Sequence, residues 1–137
     1  MAGKPVVDAV EAYLQANWTA TPIIGVNLVG DTPADGSAFL TLQYPVAKET
    51  FIGMASVGAR TFREDGVVRL VLSVPRAQGQ GQALAWIETL RDLFRAQTLP
   101  GPVIFRECSP AVTDNSNDSG AYWVMSFAAV YYFDAFK

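Results

Sequence analysis

The chain contains no histidine. That removes the commonest general base, the commonest metal ligand and every Ser-His or Cys-His nucleophile pair. It has one cysteine, Cys108, so no intramolecular disulfide can form and secretion has no support. Lysine and arginine never occur side by side, and net charge is −3. A nucleic-acid face needs a basic stripe, so binding to DNA or RNA without sequence preference is not expected. No apolar run approaches the roughly 20 residues of a membrane helix. The start, MAGKPVVDAV, has no apolar core of a signal peptide. The reading is a protein of a reducing cytoplasm, not an enzyme, with no cofactor, no metal and no membrane partner.

What is present is apolar. Half of the 137 residues are hydrophobic and only 17% are charged. The length suits one domain over residues 1–137, with enough chain to bury a core without staples. So apolar a composition implies surface covered by a partner.

The most organised stretch runs from Gly66 to Gln97. Val68, Leu70, Leu72 and Val74 alternate with Val67, Arg69, Val71 and Ser73, as in a strand with two distinct faces. After a loop holding Gly79 and Gly81, the residues Ala83, Trp86, Ile87, Leu90, Leu93 and Phe94 recur with helical period. Pro5 to Trp18 has the same period through Val7, Val10, Leu14 and Trp18, and Asp8 and Glu11 suit the positive end of its dipole.

Strands are predicted over Ser37–Tyr44, ended by Pro45, and over Thr50–Arg63, with bulges at Gly53 or Gly58. Asp65-Gly66 predicts a tight hairpin turn, which would bring Arg60 near Arg69. Leu99-Pro100-Gly101-Pro102 stops the second helix. Val103–Cys108 and Ala121–Phe133 read as further strands around the polar loop DNSNDSG. The expected fold is α+β: a mixed, mostly antiparallel sheet with two helices on one face.

Each chemical motif is incomplete. Gly79-Gln80-Gly81 has leucine at the third position of a dinucleotide fingerprint, and no Walker sequence occurs. A helix N-terminus there could hold an anion, which leaves a small phosphate- or nucleotide-binding module as one alternative. Glu64 and Asp65 read as solvated turn carboxylates that point apart, and Asp114–Asp118 lacks the glycine and glutamate of a calcium loop. Thr19–Gly36 is a long loop whose Ile23, Ile24, Val26, Leu28 and Val29 should lie against the body or a neighbour.

Trp18-Thr-Ala-Thr-Pro-Ile23 with Asn27, then GVVRLVLSVP at Gly66–Pro75, Gly79-Gln80-Gly81, Leu93-Phe94-Arg95 and the Trp123 strand occur in that order. In this the chain resembles small phage and prophage proteins of tail-terminator type, from about Asn17 to Phe133. Arg76-Ala77 departs from the family form. The resemblance implies a structural virion protein, assembled in the host cytoplasm and located in the tail or neck. It implies a hexameric ring that caps the tail tube, ends its polymerisation and supplies the surface joining the head. Its partners are then further copies of itself, the tail-tube protein and a head–tail connector. A neighbouring role, head closure, is the other alternative. A ring of head-to-tail contacts needs two different patches per subunit. The expected ones are Ile23, Ile24 and Val26 in the long loop, and Arg60, Arg63, Arg69, Arg76, Gln78 and Gln80 along the hairpin and glycine loop. Charge reversal at Arg63 or Arg76 is expected to weaken assembly more than folding.

Overall fold

A computed structural model describes residues 1–24, 37–56, 59–75, 81–114 and 122–136. These form two helices, α1 (Lys4–Asn17) and α2 (Gly81–Phe94), and seven strands. The strands are β1 (Ile23–Ile24), β2 (Phe39–Ser56), β3 (Ala59–Pro75), β4 (Thr98–Leu99), β5 (Val103–Cys108), β6 (Val112–Asp114) and β7 (Tyr122–Phe136). The sheet order is β1-β2-β3-β7-β5-β4, with β6 pairing β7 beyond the end of β5. β1 runs parallel to β2, and every other pair is antiparallel. The fold is the expected α+β arrangement.

Alternation decides the two faces. Leu40, Leu42, Val68, Leu70, Leu72, Met125, Phe127, Ala129 and Tyr131 share the buried face with Val103 and Phe105. Both helices cover it, through Val6, Val10 and Leu14 of α1 and Ala83, Ile87, Leu90 and Phe94 of α2. The helices also hold each other. Tyr13 donates to the Leu93 carbonyl at 2.7 Å, its ring meets Phe94 edge-on, and Trp18 meets Trp86 in the same way.

Three expectations are corrected. Pro45 does not end a strand: β2 continues through it, because the register shift between Gln43 and Val46 places it in a bulge, where ladder hydrogen bonds are not required. Asp65-Gly66 is not a turn. Both lie inside β3, where Gly66 pairs with Ala47 on one side and Tyr131 on the other. A Cβ on Gly66 would stand 2.5 Å from the Tyr131 hydroxyl and 2.7 Å from the Val46 carbonyl oxygen. The glycine is there for close approach, not for a turn, and β2 and β3 remain paired out to Ser56 and Ala59. Arg60 and Arg69 therefore lie nine positions apart on one strand, opposite Met54 and Gln43 respectively.

The third correction concerns Glu64, read from the sequence as a solvated turn residue. Its carboxylate accepts the Tyr131 hydroxyl at 2.7 Å and the Gly3 backbone N–H at 3.1 and 3.2 Å. Gly3 is the N-cap of α1, which has no side-chain cap of its own and no acidic residue in its first turn. The anion complementing that helix end comes from β3 instead. Asp8 is occupied with Lys4 one turn earlier.

Candidate interaction surfaces

The sheet face away from the helices stays open among the described residues. Val67, Val71, Val130 and Ile104 lie half-buried on it, and charged groups are set between them. Arg63 grips Asp134 with two hydrogen bonds of 2.7 and 2.9 Å, across a registered β3–β7 pair. Those hydrogen bonds hold the Asp134 carboxyl below the usual carboxylate range. The Arg63 guanidinium also stacks 4.7 Å from the centre of the Tyr132 ring, and Arg106 of β5 stacks 4.4 Å from the same centre. Farther along, Arg69 donates to Gln43 Oε1 and to Ser126 Oγ, each at 3.1 Å, beside a cleft of about 250 Å³ reaching to Val112 and Ser109.

A second surface lies where α1 begins. A groove of about 570 Å³ is lined by Gly3, Lys4, Glu49, Phe62, Glu64 and Phe136 among others. Exposed apolar side chains gather on the strands around it. Phe51 is 55% exposed and packs on Phe62; Ile52 and Phe136 are 47% and 72% exposed. Among the described residues no three His, Cys, Asp or Glu side chains are placed to hold a metal, and no helix is long and apolar enough to cross a membrane. Cys108 is half-buried, its thiol turned to the Arg91 carbonyl at 3.7 Å, and burial pushes its ionisation up, away from a reactive thiolate.

The structure places two of the expected interface residues, Arg63 and Arg69, on the open face six positions apart along β3, and Arg60 on the outer part of the hairpin. Ile23 and Ile24 are not free loop residues. They pair with Leu40 and Thr41 at the sheet edge, half-buried, with Ile23 packed on the core. Val26, Arg76, Gln78 and Gln80 lie outside the described residues. Tyr132 reads from the sequence as core or protein interface, and sequence reading missed Arg106 and Glu49. Arg106 meets Tyr132 only through the β5–β7 register, which pairs Ile104 with Tyr132. Nothing local in either segment announces that pairing.

One solved chain superposes over 100% of this chain and 98% of its own length, with a TM-score of 0.65 and 21% identity. Likeness at that identity shows the fold and leaves function open. No curated protein matches. A family model described as phage tail terminator protein matches residues 5–127, a span that starts in α1 and ends in β7. With most of its length inside that match, the chain belongs to the phage tail terminator family.

Proposed function

We propose that this protein ends tail-tube growth by closing as a ring on the tube tip and then presents the surface to which the head is joined. The observation that carries this reading is the family match over residues 5–127, which takes in both helices and all but the last part of the sheet. Family membership places the protein among structural components that complete a phage tail. The ring, the tube contact and the head contact are the finer steps. They draw support from the architecture: a cyclic assembly of identical subunits needs two unlike surfaces on each copy, and the open sheet face and the groove beside α1 differ in shape and charge.

Electron microscopy of phage lacking this gene tests the reading. Overlong, irregular tails that become uniform when the protein is supplied are the expected outcome. Uniform tails in its absence would refute it. Uniform tails that fail to take up heads would assign the protein to head closure instead.

A further inference from the structure

The charges of the open sheet face do not cancel on that face. Arg63 is closed by Asp134, and Lys48 stands opposite Asp65 in the β2–β3 register. Arg69 and Arg106 have only neutral partners among the described residues: an amide and a hydroxyl for Arg69, an aromatic ring for Arg106. Held this way, a guanidinium keeps its full charge and a fixed orientation, with donors to spare. Half-buried aliphatic residues beside the two arginines make a surface that can be desolvated around them.

The other side of the molecule shows the reverse. Along the helices Lys4 is taken by Asp8 and Arg91 by Glu88, and just past the end of α2 Arg95 is taken by Asp92. Glu64 is taken by Gly3 and Tyr131. Along the flank where the start of α1 and β2 line one groove, Glu11 and Glu49 have no cationic partner among the described residues. Glu11 acts electrostatically on Tyr44 of β2, and Glu49 lines the groove with Gly3 and Lys4 at the start of α1, so both belong to that flank.

Pairing two open faces brings together two surfaces that each carry arginines without an acidic partner among the described residues, which is unfavourable. An open face can pair with the α1–β2 flank of another copy. We propose that Arg69 and Arg106 of one subunit dock on the flank of the next, where Glu11 and Glu49 receive them, and that this is the head-to-tail contact of the assembly. The proposal rests on the ring reading above. It names the occupant of the open face as a second copy of this chain.

The test uses two double variants that reverse one surface each: Arg69→Glu with Arg106→Glu, and Glu11→Lys with Glu49→Lys. Circular dichroism and thermal unfolding first establish that each is folded. Both are then supplied, singly and together, to phage lacking the gene. Each alone is expected to lose tail-length control. Together they are expected to restore it, because alternating the two variants around a ring makes every contact complementary again. Rescue by the mixture cannot arise if the open face meets a different acidic protein. Single variants that behave as wild type, or a mixture that stays inactive, overturn the proposal while wild-type rescue keeps the functional reading. Failure of wild type itself overturns that reading instead. Should the Arg→Glu pair not fold, Arg69→Gln with Arg106→Gln takes its place; loss of tail-length control supports the proposal and wild-type behaviour overturns it.

Discussion

Gly66 and Tyr131 are neighbours so close that a side chain at the first position forces one of its surroundings to move. Tyr131 is fully buried, yet its hydroxyl reaches Glu64 by passing over the glycine. Gly66→Ala forces the ring or the β2 backbone to move, and should cost about 1–3 kcal/mol in denaturant unfolding. An unchanged midpoint would mean the packing here is loose. Burial first, and then the Glu64 hydrogen bond, push Tyr131 well above the ordinary tyrosine range; burial does the same for Tyr44. An unfolded tyrosine loses its proton near pH 10. Above about pH 10 the unfolded chain therefore releases protons that the folded chain keeps, and stability falls as pH rises. The thermal midpoint should decline on that alkaline limb, and Tyr131→Phe should make the decline shallower; an equal slope would refute the assignment. Arg63 carries a different lesson. The sequence marks it as an assembly residue, but its two hydrogen bonds tie β3 to β7 within one chain. Arg63→Glu should lower the thermal midpoint of the isolated protein before any effect on assembly is read, and an unchanged midpoint would show that the pair contributes nothing to folding.

At the level of elements, local pattern and non-local pairing contributed differently. The helices follow from period alone, and both lie within a residue or two of where the apolar stripe puts them. The strand Gly66–Pro75 likewise alternates as read. The hairpin was misplaced because Asp-Gly is a strong local turn signal that a tertiary contact overrides: the Tyr131 ring needs the space a side chain would fill. Pro45 misled for a related reason. Proline breaks a ladder only where its missing N–H was needed, and the bulge removes that need. The two helices are fastened at unlike points, α1 to β3 through Glu64 and α1 to α2 through Tyr13. Tyr13→Phe keeps the ring contact with Phe94 and deletes one hydrogen bond to the Leu93 carbonyl. It should cost about 1 kcal/mol. No loss in thermal or denaturant unfolding would show that water replaces the bond fully.

For the whole molecule, the sheet separates two surfaces of different character: an open face with two arginines that have no acidic partner among the described residues, and a helical side with carboxylates that have no cationic partner among them along one flank. Contact between such surfaces is weakened by ions, since exposed charges are screened beyond about 10 Å at ordinary ionic strength. Self-association followed by sedimentation should fall as salt rises. Association that strengthens with salt would instead assign the contact to the exposed Phe51, Ile52 and Phe136.

The sequence alone determined the class of the fold, both helices, the central strands and, with no histidine in the chain, the absence of histidine-based chemistry. Those follow from composition and from periods of two and 3.6 residues, which are local properties of a chain. Only the tertiary structure decided where the hairpin ends, which carboxylate completes α1, and which arginines are spent inside the molecule. Each of these depends on residues brought together across the sheet, Gly66 with Tyr131, Gly3 with Glu64, Arg63 with Asp134. Pairing at such separations is set by how the whole apolar face packs, and no single segment encodes it.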